Sequence, residues 1–177
     1  MIDYAGGIGS LARILKHYYH IHLPVFEKYM DSLFQDGIVS YVKEQDLARY
    51  SVVFNSAMFE HITKREHLEH INSLVKDDGM LIIHTLVRQN IPKNPKWFYI
   101  NPVHCAFHTN DSMQILMQQW GYTHSLYSPI SKSWVWFKRD NKNVKNGTLP
   151  QFVDKINYEL QMKYLYFKEG FVDYWVD

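Results

Sequence analysis

The run Asp3-Tyr4-Ala5-Gly6-Gly7-Ile8-Gly9 joins a short strand-like start, residues 1–4, to a helix-like segment, residues 10–17. No other stretch constrains the fold as tightly. Glycines there let the backbone turn sharply and come close to a ligand. The exposed amides at the start of the next helix favour a carboxylate or phosphate. Leu11, Ile14 and Leu15 share one helix face, and Ser10 is a candidate cap.

Further strands and helices follow. Residues 20–26 read as a second strand with Pro24 at its start or at a bulge, 31–34 as a short helix, 36–37 as a turn and 38–42 as a third strand. Ser51-Val52-Val53-Phe54 is a β-branched and aromatic run, hence a buried strand. Residues 64–75 form a helix with Leu68, Ile71 and Leu74 on one face, Asp77-Asp78-Gly79 a turn, and Met80-Leu81-Ile82-Ile83 a wholly apolar strand suited to a parallel sheet. A helix over 113–120 and strands over 123–127 and 133–138 complete the alternation. The pattern predicts an α/β fold with a doubly wound, mostly parallel, Rossmann-like sheet. Residues 1–138 form its cofactor-binding domain and 139–150 a polar linker. Over 151–177, Phe152, Ile156, Leu160, Tyr164 and Phe167 recur at helical spacing until Gly170, predicting an amphipathic C-terminal helix and tail.

The 177 residues suffice for one core. With 19 Lys+Arg against 18 Asp+Glu there is no basic surplus to favour nucleic acid. No apolar run approaches the roughly 20 residues of a membrane span, and the N-terminus lacks a signal-peptide pattern. Cys105 is the single cysteine, which excludes an internal disulfide. A soluble, cytoplasmic protein is expected. Aromatic residues reach 16%. Their C-terminal stripe is expected to pack on the domain or on a second subunit, making that helix a candidate homodimer face.

Glu27, 27 − 9 = 18 residues past the last glycine of the loop, sits where an acid at the end of the second strand grips ribose hydroxyls. Loop and acid together imply a nucleoside-containing cofactor. Gly7-Ile8-Gly9-Ser10-Leu11-Ala12 formally matches the dinucleotide fingerprint, which leaves an NAD-dependent oxidoreductase as an alternative. Against it stands Asp3, whose carboxylate would repel a pyrophosphate but suits the amino group of a methionine moiety.

The loop resembles the acid-x-Gly-x-Gly-x-Gly motif of class I S-adenosylmethionine-dependent methyltransferases, with Ala5 in place of the first glycine. The stretch Tyr50 to Ile62, containing Glu60-His61-Ile62, is similar to the family's fourth motif, with Ser51 in place of its usual Asp. Leu74 to Ile83 is similar to its fifth strand, and His104 to Thr109, followed by a helix and Trp120-Gly121-Tyr122, to the segment around its last helix. The resemblance covers residues 1–138 and implies methyl transfer from S-adenosylmethionine to an oxygen or nitrogen of a small-molecule acceptor. It implies that Asp3, Tyr4, Ala5, Gly6, Gly7 and Gly9 hold the methionine end and Glu27 the ribose. Asp46, or Glu44 if the third strand ends early, would meet the adenine, with Asn55 and Phe59 beside the cofactor. Tyr4 or Phe59 would also offer a π face to the sulfonium.

An acceptor that loses a proton needs a base, for which histidine is suited. His84 and His108 are the leading candidates, with His61 behind them. Glu60-His61 is also similar to the metal-assisted O-methyltransferases of ubiquinone biosynthesis. Those carry an acid three residues before the Glu, where this chain has Ala57, so no metal is expected. The family places a helix ahead of the first strand. Here the chain starts within that strand, and the C-terminal helix is the candidate replacement cover. A catalytically silent binding or dimerisation module is the second alternative.

Overall fold

The computed structural model describes residues 1–29 and 37–173. In chain order it contains β1 (Ile2–Tyr4), α1 (Ser10–Tyr19), β2 (Val25–Phe26), β3 (Tyr50–Ser56), α2 (Arg65–Ser73), β4 (Val75–His84) and β5 (Val87–Arg88). There follow β6 (His108–Thr109), α3 (Asn110–Gln119), β7 (Tyr122–Ser128), β8 (Ser133–Lys138), α4 (Lys142–Lys145), α5 (Leu149–Glu159) and β9 (Tyr166–Glu169). Seven strands form one mixed sheet in the order β2-β1-β3-β4-β8-β7-β9, and β5 and β6 pair separately. The pairs β1–β2, β1–β3 and β3–β4 are parallel, whereas β4–β8, β7–β8 and β7–β9 are antiparallel. The doubly wound α/β reading therefore holds, with a parallel half carrying the glycine loop and an antiparallel half completing the sheet.

Strand alternation sorts the side chains onto two faces. Val53, Leu81, Ile83, Trp134 and Trp136 are wholly buried. They belong to one core with Leu68 and Ile71 of α2 and Met113, Leu116 and Met117 of α3. On the opposite face α1 packs through Leu11, Ala12 and Leu15 against Val25 and Phe54. There α5 packs through Leu149 and Val153 against Leu126, Val135 and Phe137.

Several local expectations change: the turn expected at Asp77-Asp78-Gly79 is part of β4, and the second strand is confined to Val25–Phe26. Gly9, not Ser10, occupies the cap position of α1; its φ is 72°, and no side chain caps the helix. An added Cβ at Gly9 would lie 2.8 Å from Val39, so both conformation and space demand glycine. The third strand is reduced to a single parallel bridge, Val25 to Tyr41. The expected helix at 31–34 and part of the turn at 36–37 lie outside the described residues. The polar 139–150 segment contains α4 and the start of α5, and is tied down where Asn141 caps α4 and donates to the Asp78 carbonyl at 2.8 Å. The C-terminal segment is not one helix: α5 ends at Glu159 and the chain returns as edge strand β9. No helix among the described residues is long and apolar enough to cross a membrane.

Candidate functional site

The carboxyl ends of β1, β3 and β4 converge on two cavities that share one lining residue, Ala5. The larger, about 850 Å³, opens between α1 and the segment after α5. Alternation along the strands aims Asp3, Ser56 and His84 into it beside Phe54, Ile82 and Val135, while Tyr164 and Leu165 form the far wall. The smaller, about 540 Å³, lies on the other side of the loop and is lined by Tyr4, Glu27, Tyr29, Glu44, Ala57 and Met58.

The loop between them is an alternating left-handed turn. Ala5, Gly7 and Gly9 have φ of 61°, 55° and 72°. Ala5 thus holds a conformation that is unfavourable for a residue with a Cβ, and Ala57, at the end of β3, does the same with φ 54°. Both line the smaller cavity. At Gly6 the limit is space, because a Cβ would sit 2.5 Å from the Asp3 carboxylate. Glu27 braces the turn: its Oε2 accepts from the Gly7 amide at 2.9 Å and its Oε1 from the Tyr29 amide at 2.8 Å. The Tyr41 hydroxyl donates to the Gly7 carbonyl at 3.2 Å.

Electrostatics mark the same place. Burial, aided by the Glu27 charge, pushes the Asp3 carboxyl up to about 6. Among the residues that line the larger cavity, Asn55 Oδ1 and His84 Nδ1 are buried and have no hydrogen-bond partner. Asn55 itself is held by its amide nitrogen, which donates to the Tyr4 carbonyl at 3.0 Å. A buried polar atom left without a partner costs free energy.

A family model described as a methyltransferase domain matches residues 1–125. The chain belongs to this family. The fold agrees: an O-methyltransferase family protein from Burkholderia thailandensis superposes with a TM-score of 0.58 at 19% identity, over 80% of this chain and 51% of that one. An S-adenosylmethionine-dependent methyltransferase from Archaeoglobus fulgidus gives 0.56 at 19%, over 72% and 62%. The O-methyltransferase of a polyketide synthase multienzyme from Brevibacillus brevis, in complex with S-adenosylhomocysteine, gives 0.53 at 12%, over 94% and 63%. The chain thus spans about half to under two thirds of the length of these neighbours. No curated protein matches.

Within this methyltransferase fold the residues singled out from sequence fall into three groups. Asp3, Ala5, Gly6, Gly7 and Asn55 line the larger cavity, and Tyr4 and Glu27 the smaller. His84 faces the larger cavity and His61 the rim of the smaller. Gly9, Asp46, Phe59 and His108 line neither. Gly9 shapes the turn, and Glu44 rather than Asp46 faces the smaller cavity, because the shortened third strand brings the earlier acid to that wall. Phe59 is wholly buried, and the left-handed turn at Ala57 presents Met58 to the cavity instead. His108 packs on Phe59, lies 3.2 Å from its carbonyl through Nε2, and is lowered by burial. Sequence reading missed Tyr29, Met58, Ser128, Ser131, Ser133, Tyr164 and Leu165 as cavity residues. Met58, next to the chosen Phe59, and Tyr29, two residues past Glu27, lay close to recognised positions.

Proposed function

We propose that the two cavities hold one molecule of S-adenosylmethionine across the loop and that the chain transfers its methyl group to an oxygen or nitrogen of a small-molecule acceptor. The observation that carries this reading is the left-handed glycine loop, with Asp3 in the cavity on one side of it and Glu27 in the cavity on the other. Asp3 as carboxylate accepts from the ammonium of the methionine moiety. The amides at the start of α1, whose first turn holds no acidic residue, receive the moiety's own carboxylate. Each Glu27 oxygen keeps a further lone pair for a ribose hydroxyl. Tyr29, Met58 and Glu44 enclose the adenine.

Bound there, the cofactor supplies an electrophilic methyl group. The chain contributes alignment, the largest factor open to an enzyme of a displacement between two bound partners. The acceptor occupies the remainder of the larger cavity. Phe54, Ile82 and Val135 suit an apolar body, while Ser56, Ser128 and Ser133 surround a polar end near His84. His84 takes the acceptor proton. Of the three candidate histidines it alone lines that cavity.

The test is formation of S-adenosylhomocysteine from S-adenosylmethionine across a panel of amphipathic alcohols, phenols and amines. His84→Ala is expected to slow transfer by about 10²–10⁴-fold while leaving S-adenosylhomocysteine affinity unchanged. Equal rates in the two proteins would remove His84 from the reaction. Absence of turnover with retained cofactor binding would favour a silent binding module.

A further inference from the structure

At the rim of the smaller cavity, the structure brings together a set of side chains that their spacing in sequence conceals. Glu60 and His61 sit together in a 3₁₀ turn, Phe59–His61, and His104 arrives from a loop more than forty residues later. One ligand atom from each lies within 4.8 Å of the others. The expectation of no metal rested on Ala57, where related Glu-His sequences carry another acid. In the fold the third donor comes from His104 instead.

The arrangement is held from outside the cluster. His61 Nδ1 lies 2.8 Å from the Val103 carbonyl, and His104 Nδ1 lies 2.8 Å from the Tyr99 carbonyl. A carbonyl only accepts, so in the tautomer that these two contacts favour each Nδ1 carries the proton and each Nε2 keeps its lone pair. The Asn101 amide nitrogen also approaches His104 Nδ1, at 3.0 Å, while its oxygen accepts from the Val103 and His104 amides. The loop is pinned to the turn where the Cys105 and Ala106 amides donate to the Glu60 carbonyl at 2.9 and 3.0 Å. Glu60 is only 4% exposed, and its Oε2 accepts from the Thr85 hydroxyl at 2.9 Å. A backbone carbonyl on the far ring nitrogen and a hydrogen-bonded carboxylate are the outer supports that metal ligands require.

We propose that Glu60, His61 and His104 bind one divalent transition-metal ion, of the zinc or cobalt type. Two imidazoles and one carboxylate suit such an ion better than magnesium or calcium, which prefer all-oxygen sites. Three protein ligands leave a position open to water or a ligand atom. Donor atoms about 2 Å from one ion lie about 3–3.5 Å apart, so the set closes in on binding, and the exposed His61 ring is the member with space to adjust. The ion clips the 97–107 loop to the rim of the smaller cavity, where His61 is a wall residue.

The experiment is titration of the purified chain with Co²⁺, read by visible d–d absorption, with Zn²⁺ as competitor. The expected result is one ion per chain, displaced by Zn²⁺, with affinity lowered at least about tenfold by His61→Ala and by His104→Ala. His20→Ala, in the separate His17, His20 and His22 group, is expected to change nothing. Circular dichroism checks that the variants fold, and His61 is exposed, so its removal leaves the core intact. Absence of saturable binding, or equal binding in both loop variants, would overturn the site. Neither outcome depends on S-adenosylmethionine, so failure here is distinct from failure of the methyl-transfer reading.

Discussion

The two faces of the sheet are built from the same strands and finished differently. On one, alternate residues of β3, β4 and β8 (Val53, Leu81, Ile83, Trp134 and Trp136) meet α2 and α3 with no exposed surface. On the other, the intervening Phe54, Ile82 and Val135 lie between α1 and α5 with a cavity above them. The polar residues Asn55 and His84, at the ends of β3 and β4, line that cavity. One register thus specifies a closed face that carries stability and an open face that carries the site.

The largest test of this division is a pair of truncations. Leu81→Ala on the closed face is expected to cost about 3–5 kcal/mol, whereas its neighbour Ile82→Ala on the open face should cost about 1 kcal/mol and weaken acceptor binding. Urea unfolding of both variants decides this, and equal costs would break the distinction.

The next effect concerns Asp3, on the open side. Its carboxyl is raised from an ordinary 3.8 to about 6, because burial and Glu27 disfavour the charge. The fold therefore binds that proton more tightly than the unfolded chain does. This contribution is full below the unfolded value near 3.8 and is lost as pH rises through about 6. Asp3→Asn is expected to stabilise the chain at pH 7 by up to about 3 kcal/mol and to weaken S-adenosylhomocysteine binding. In the unsubstituted chain, that affinity should fall as pH is lowered through about 6. A flat profile in calorimetry, or a less stable Asp3→Asn variant, would show that this carboxylate is not held in strain for a ligand.

The smallest effect is at Ala5. Relief of its left-handed conformation by Ala5→Gly should stabilise by about 1 kcal/mol, read as a rise in the thermal midpoint. A fall would mean that the methyl group packs usefully between the cavities.

The same contrast explains what was legible in the sequence. The closed face depends on local periodicity, so β3, the apolar part of β4, α2 and α3 were readable. The glycine loop was readable because few backbones tolerate three left-handed residues in five. The end of α5 was not, because Tyr164 and Phe167 continue its helical spacing. Gln161, with φ 48°, nevertheless stops the helix. The Asn157 side chain then accepts from the Tyr164 and Leu165 amides, both at 2.8 Å, and directs the chain into β9. Cavity walls contributed from there, and a donor set completed by His104, depend on contacts between distant segments that no local pattern encodes.

The central claim is that one cofactor spans the loop from Asp3 to Glu27. Calorimetric titration of the chain with S-adenosylhomocysteine, with NADH as control, tests it most directly. The account predicts a single micromolar site for S-adenosylhomocysteine, none for NADH, and a loss of about 2 kcal/mol in affinity on Glu27→Ala, as expected for a charged hydrogen-bonding group. No heat with S-adenosylhomocysteine, or undiminished binding by Glu27→Ala, would contradict it.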